Sequence, residues 1–396
     1  MKKFLLVAGL LLLFAAEISR VYLIMPFPGS QHNDTLPFAY WLNKNLVWIR
    51  IFLLLVIAYP VAFTFNHSKL WKKILLSCIL IIYGVIFYFV NFRFQADKIF
   101  YQPRNKSFAG AADSKISGDK LVIGVVINGE AKAYPIQLIG YHHQVRDTIG
   151  NTPVMVTYCT VCRTGRVFSP FVGGKIETFR LVGMDHFNAM FEDATTKSWW
   201  RQETGVAAAG PLTGTSLAEI PSRQATLDSW LQQYPNSLIL QPDTIFKKRY
   251  ENLADFDKGT IDGDLEKRDS ASWKFKSWIV GIAHGNDARA YDWNELVDKK
   301  LLQDSLPGLP LVIALEKDTA TFHAWSRMVK GNQLQFVKDN QSDLMKDKET
   351  QSTWNMSGLC VDGPLKGEQL IRIQAYQEFW HSWKSFHPNT TQYKFR

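Results

Sequence analysis

The chain has 396 residues, 46% of them hydrophobic, with 45 Lys and Arg against 36 Asp and Glu, a formal charge of +9. The surplus does not mark a nucleic-acid binder: twelve of the basic residues, but only Glu17, Asp34 and Asp97 among the acidic ones, precede residue 107, and the remainder is balanced at 33 of each. Four cysteines in this length also exclude a scaffold built on disulfides.

Three apolar runs open the chain, at about 4–25, 45–65 and 74–94. A bilayer core needs about 20 mostly apolar residues in a helix, which the second and third runs supply. In the first, Lys2 and Lys3 precede an apolar stretch ending at Ala15 and Ala16, which describes a secretory signal peptide, whereas continuation through Glu17 and Arg20 to Met25 describes a membrane helix. With either two or three helices in residues 1–100, the C-terminal part lies outside. Lys69, Lys72 and Lys73 between the second and third runs suit a cytoplasmic loop, against a modest opposing signal from Lys44 and Arg93. The expectation is a multi-pass protein of the cytoplasmic (inner) membrane with its C-terminal part on the extracytoplasmic (periplasmic) side. Lipid phosphates then account for the local basic excess. Ionisable groups in the apolar runs are few, Arg50 being the plainest, so the helices read as an anchor and not as a transport path.

Beyond a short polar stretch, strand-like runs alternate with Gly, Asn and Asp turns and short amphipathic helices. Leu121-Val-Ile-Gly-Val-Val-Ile-Asn-Gly-Glu-Ala-Lys-Ala-Tyr134 returns as Trp278-Ile-Val-Gly-Ile-Ala-His-Gly-Asn-Asp-Ala-Arg-Ala-Tyr291, an interval of 157 residues. The same interval relates Asp147 to Asp304 and Pro153 to Pro310, each proline leading a strand-like run. Further on, Trp200 and Gly210-Pro-Leu-Thr-Gly214 correspond to Trp354 and Gly363-Pro-Leu-Lys-Gly367, and Trp230 with Pro235 to Trp383 with Pro388. The fold expected is α+β and β-rich, a tandem duplication of one module with approximate twofold symmetry. The first module covers 107–247, a polar and exposed connection 248–275, and a divergent second module 276–396. Asn128-Gly129 and Gly285-Asn286 provide residues that accept positive φ at hairpin turns.

A repeated fold separates residues needed for folding, which should recur, from those that do not. Cys159 and Cys162 align with Glu316 and Thr319, and His142 with Lys299, so the thiol pair belongs to the first module alone. Two cysteines at this spacing can bind one metal through both thiolates or form a redox disulfide. Two ligands do not complete a zinc site, and the candidates to join them are His142 and His186, with His143, Asp147, Asp185 and Arg163 as surrounding groups. Soft thiolates with imidazole suit copper or zinc. A structural disulfide, or a reduced pair buried as ordinary core, is the competing interpretation. Trp199, Trp200 and Trp354 read as core anchors. Residues 210–214 form a turn and no phosphate loop, lacking the Lys-Ser/Thr ending.

Ala133-Tyr-Pro135, His142 with Asp147, Pro153-Val-Met-Val-Thr-Tyr-Cys-Thr-Val-Cys162, Ser198-Trp-Trp-Arg-Gln202, Thr204-Gly205 and Gly210-Pro-Leu-Thr-Gly214 resemble the family DUF3179 over nearly all of the soluble part. Members commonly carry Pro after the first Cys, a small residue after the second and an acidic residue after the histidine; here these places hold Thr160, Arg163 and His143. The resemblance implies an extracytoplasmic bacterial protein and no particular activity.

The reading that follows is a membrane-anchored extracytoplasmic protein with a metal-binding or thiol-redox role through Cys159 and Cys162. The alternative is a non-catalytic envelope binding or scaffold module in which the pair is structural. A hydrolase using Cys159 with His142 or His186 is least favoured, because no nucleophile, base and orienting group can be ordered from the sequence. Membrane lipid is the one partner the sequence names.

Overall fold

A computed structural model describes residues 1–339 and 342–394; Asn340, Gln341, Phe395 and Arg396 of the expected second module lie outside the described residues. The chain divides into two compact units, Met1–Tyr101 with Glu177–Ser216, and Gln102–Ile176 with Leu217–Arg396. Residues 177–216 of the expected first module thus cluster with the N-terminal helices.

In the first unit, three helices are long and apolar enough to cross a membrane: α1 (Lys2–Ile24), α2 (Leu36–His67) and α3 (Leu70–Tyr88), the last prolonged by a π-helical turn over Phe89–Arg93. α2 starts well before the apolar run at 45–65 because Leu36, Ala39 and Leu42 already face a core, although Asn43, Lys44 and Asn45 break the hydropathy. α1 lies close on α2, since a side chain on Gly9 would meet Ile57 at 2.3 Å. Leu10, Leu13, Leu53, Ile57 and Leu76 form the core among the helices.

Glu17, fully buried, ties the three helices together. Its carboxylate accepts hydrogen bonds from Arg50 of α2, from Tyr83 of α3 at 3.2 Å and from Asn91 of the π turn at 3.0 Å. The Asn91 carbonyl oxygen in turn accepts from Arg50 at 2.5 Å and Arg20 at 2.6 Å. Arg50 is therefore not an isolated charge near one helix end; a carboxylate on the neighbouring helix compensates it. A π turn adds one residue to the helical repeat and re-aims a side chain, here Asn91.

The four strands Phe179–Asp185, Asn188–Asp193, Trp199–Arg201 and Ala207–Ala209 form an antiparallel sheet in sequence order. Its Val182, Met190, Trp199 and Ala209 share a core with Ile24, Leu36 and Ala39, so the α1–α2 connection and the sheet sit at the same end of the helices. Trp199 and Trp200 are buried and donate their indole N–H groups to Glu192 and Asp193, at 2.9 and 3.0 Å.

The second unit runs twice through one order of elements. Strands Leu121–Ile127 and Glu130–Pro135 form a hairpin, helix Ile136–His142 follows, and Gln144–Ile149, Thr152–Cys159 and Thr164–Phe168 make a meander. Later, Trp278–His284 pairs with Asp287–Asp292, helix Trp293–Lys299 follows, and Leu301–Leu306, Leu309–Leu315 and Phe322–Ser326 pair likewise. Ser222–Thr226 flanks the first hairpin and Tyr376–Phe379 the second, each antiparallel to its neighbour. Leu238–Leu240 and Thr391–Gln392 add parallel to the far strand of each. Both short helices end on a left-handed residue, His143 at φ 60° and Lys300 at φ 62°. Gly124 and Gly281 sit against Trp230 and Trp383, where a Cβ would come within 2.2 and 2.3 Å of the rings. The Asn128-Gly129 turn has φ of 50° and 82°, as a tight hairpin turn requires.

Residues 248–275 are largely exposed, as expected of a polar connection, but are pinned at two aromatic rings. Tyr250 and Phe256 are buried, and Asp257 accepts a hydrogen bond from the Leu121 amide at 3.0 Å. Two aromatic rings among many charges suffice to pin the segment, because each can bury on the order of 150–250 Å².

Candidate functional site

The strand Thr152–Cys159 carries Cys159 as its last residue, paired across the ladder with Thr164. Residues 160–163 turn the chain over, closed by the Arg163 amide on the Thr160 carbonyl at 3.2 Å, with Arg163 at φ 56°. Both cysteines are wholly buried and neither is in a disulfide. Their side chains are in mutual hydrogen-bond contact. Burial, and then the neighbouring Cys159, push the Cys162 thiol well above the ordinary thiol range. Neither sulfur is in a disulfide, and the Cys162 thiol is neutral at rest.

The turn is gripped from the second half of the unit. Lys276 donates to the Val161 carbonyl at 2.6 Å, and His381 Nε2 lies 3.2 Å from both that oxygen and the Lys276 ammonium. The Phe379 amide donates to the Cys162 carbonyl at 3.0 Å. Thr164 bridges the Cys162 carbonyl at 3.3 Å and the Ser382 hydroxyl at 3.4 Å. The His381 ring is stacked on Phe275, with centroids 4.1 Å apart. Burial lowers the Lys276 pKa, a shift that the two thiols oppose, and the ammonium in turn favours a thiolate at Cys162.

Arg163, also buried, donates to Gln377 at 2.9 Å and to the Phe256 and Asp257 carbonyls at 3.1 and 3.2 Å. Its guanidinium lies 3.7 Å from the centroid of the Trp278 ring. Arg163 is thus the strut that joins the turn to residues 248–275 and to the second half.

The other sequence candidates are engaged elsewhere. His142 Nε2 lies 2.7 Å from the Tyr250 hydroxyl, and the two rings meet edge to face. Burial pushes His143 down to about 4, so it is neutral at physiological pH. Burial alone would raise Asp147, but bonds from Lys106 at 2.7 Å and Tyr134 at 2.6 Å hold it below the usual carboxylate range. Asp185 and His186 belong to the other unit. There His186 bonds Asp185 at 2.8 Å, which raises the histidine pKa, and lies 3.3 Å from Asp34, while Arg201 donates to Asp185 at 2.6 Å. Among the described residues no three His, Cys, Asp or Glu side chains gather as a metal site, so the thiols supply two of the four ligands that a closed zinc site uses.

Lys276, Tyr250, Gln377, His381 and Ser382 were not singled out by the sequence. Only His381 carried a signal, as a histidine inside the apolar run Phe379-Trp-His-Ser-Trp383 where the corresponding place in the first half holds Asp228.

No curated protein and no solved structure matches the chain. A family model described as a protein of unknown function matches residues 100–390, the whole span that builds the thiol turn and its surroundings, and the chain belongs to that family, DUF3179.

Proposed function

We propose that this is a membrane-tethered thiol–disulfide protein in which Cys159 and Cys162 interconvert between dithiol and disulfide. The carrying observation is their mutual contact on a turn held by Lys276 and His381, while the turn at 316–320 closes the matching meander without cysteines. Exchange with a partner disulfide would oxidise the two thiols and reduce the partner to two thiols. Because both sulfurs are buried, attack requires the turn to open, and a high thiol pKa keeps the resting pair slow. Lys276 is the cation placed to favour the thiolate once water is admitted.

We further read the soluble part as a tandem duplication facing the extracytoplasmic side of the inner membrane. The repeated element order and the lysines at 69, 72 and 73 support this. A metal role through copper or zinc rests on the two thiols alone, and a scaffold role would leave the pair inert.

Equilibrating the detergent-solubilised protein in glutathione buffers of graded poise, then trapping thiols by alkylation, tests the proposal. Expected is one reversible two-electron transition, absent from Cys159→Ser. A pair that stays fully alkylatable in the unfolded chain after every buffer would sink the redox reading. Metal bound near one equivalent, and lost in that variant, would replace it with the metal reading.

A further inference from the structure

α2 is longer than a bilayer requires. Its 32 residues extend about 48 Å, against a hydrocarbon core of ~30 Å. The surplus lies at its N-terminal end, where Asn43, Lys44 and Asn45 interrupt the apolar run, and α1 matches them with Glu17 and Arg20. Arg20 Nε donates to the Asn43 side-chain oxygen at 3.1 Å and Arg50 to Glu17 at 2.8 Å, so the polar groups of the two helices stand at one level. With the helices in a bilayer, that level is the edge of the hydrocarbon, and residues 36–42 stand beyond it.

A groove of about 560 Å³ between α1 and α2 crosses this edge. Ala15, Ala16 and Ser19 line it on α1, all small and at helical spacing. On α2, Trp48 and Phe52 border it below the edge and Phe38 and Trp41 above, each ring more than half exposed. The Phe38 and Trp41 rings are stacked, with centroids 5.9 Å apart.

The polar groups of the groove gather at its waist. Asn45 donates to the Trp41 carbonyl at 2.8 Å, and among the described residues nothing donates to its side-chain oxygen. Ser19 faces the same stretch. Lys44 is exposed, three residues from Trp41 and four from Trp48 and so on their stripe of the helix, and among the described residues it has no ion-pair partner. From the hydrocarbon outward the groove thus offers apolar walls, then neutral hydrogen-bonding groups beside a cation, then aromatic rings at the depth of lipid headgroups.

We propose that this groove binds an amphiphile with a long hydrocarbon chain and an anionic head, the chain between Ala15, Ala16 and Phe52 and the head at Lys44, Asn45 and Ser19. Its volume lies within the ~300–1,000 Å³ usual for small-ligand sites. A neighbouring helix is a poor match, since a length equal to that from Phe38 to Leu53, about 22 Å and 10–12 Å across, would occupy roughly three times the space. A phosphate or a carboxylate head satisfies the same groups, so the source is either a bilayer phospholipid or a free fatty acid. The site rests on the helices crossing a bilayer and is independent of the thiol turn.

The test uses the full chain in phosphatidylcholine vesicles containing a small fraction of photoreactive phosphatidylglycerol, photoreactive palmitate or photoreactive phosphatidylcholine, with labelled peptides mapped by mass spectrometry. The expected result is label concentrated on residues 12–19 and 41–53 over the exposed face of α3, stronger from an anionic probe than from the zwitterionic one. Ala15→Trp, at an exposed position on α1, should reduce it roughly tenfold, and Lys44→Gln should remove the anionic preference. Label from phosphatidylglycerol alone assigns the site to phospholipid, and from palmitate alone to fatty acid. Even labelling of all three helices means a surrounding lipid only and overturns the proposal, as does labelling unchanged in Ala15→Trp or a preference unchanged in Lys44→Gln. Crosslinks between two copies through these residues, without lipid label, would give the groove to a second chain instead. Should Ala15→Trp fail to insert, the comparison with α3 and the Lys44→Gln result still decide.

Discussion

The turn at 160–163 and the turn at 316–320 close meanders of the same design, yet one is filled by thiols and the other by charge. Cys159 ends its strand beside Cys162, whereas the corresponding Glu316 accepts from Ser229 at 2.8 Å and from His323 at 2.5 Å. Each turn abuts the short helix of the opposite half: Ser382 meets Thr164 in one place, and Thr226 meets Thr321 and Asp318 in the other. The frame therefore tolerates either chemistry. What differs between the two turns is a choice the fold does not impose, which is why the cysteines are the place to look for function.

The largest effect should come from unbalancing the buried cation of the first half. Glu378→Ala takes the nearer of two carboxylates from the buried Arg166, and a loss of about 3 kcal/mol is expected from urea unfolding, since breaking one partner of a buried pair typically costs ~3–5 kcal/mol. Arg372→Gln in the second half should cost less than about 1 kcal/mol, because the residue is exposed and Glu316 keeps its bonds to Ser229 and His323 without it. Equal losses would show that the two halves depend alike on these guanidinium groups.

Acid should come next. His143 is held at about 4 by burial, below the unperturbed value of about 6.5. Between those values the unfolded chain binds a proton that the folded one refuses. Its contribution is therefore complete above about pH 6.5 and falls as pH drops toward 4, by roughly 3 kcal/mol in total. Burial displaces His323 in the same direction, so both halves are acid-sensitive. A urea midpoint measured from pH 7 to 4.5 should fall, and His143→Asn, which suits φ 60°, should remove part of the slope. A flat profile would refute the neutral buried histidines.

The smallest and most symmetrical effect concerns the shared frame. Gly124→Ala and Gly281→Ala each drive a methyl group into an indole, Trp230 or Trp383, and each should cost about 1–3 kcal/mol. Matched losses would support a common frame, and a difference above about 1 kcal/mol would mean that one half has relaxed around its tryptophan.

Much of the frame was legible because glycine, proline and tryptophan are tied to particular backbone and packing roles. Asn128-Gly129 and the three apolar runs led to structure of the expected kind, and the contact of Gly124 with Trp230 accounts for the recurrence of both residue types. The surroundings of the thiols were not legible. Lys276 and His381 reach them only through long-range packing, and Tyr250 lies in a segment whose composition is that of a solvated linker. Hydropathy likewise hid the first turns of α2, where polar and aromatic residues interrupt a helix that is nonetheless continuous. The pairing of Glu17 with Arg50 is a contact across helices that no single run can reveal.

That pairing bears on how the chain can be handled. Glu17 is the only acidic side chain in the three long apolar helices; Arg50 donates to it and to Asn91, and Arg20 to Asn43 and Asn91. A chain trimmed within α1, or with that helix replaced by a generic leader, would leave Arg50 without its counter-charge among apolar helices, where an unpaired charge in a bilayer costs ~2.5–3.5 kcal/mol or more. Exchanging the first helix is then a change to the assembly of the whole anchor, and Glu17→Gln is the single substitution that would reproduce its effect without shortening the protein.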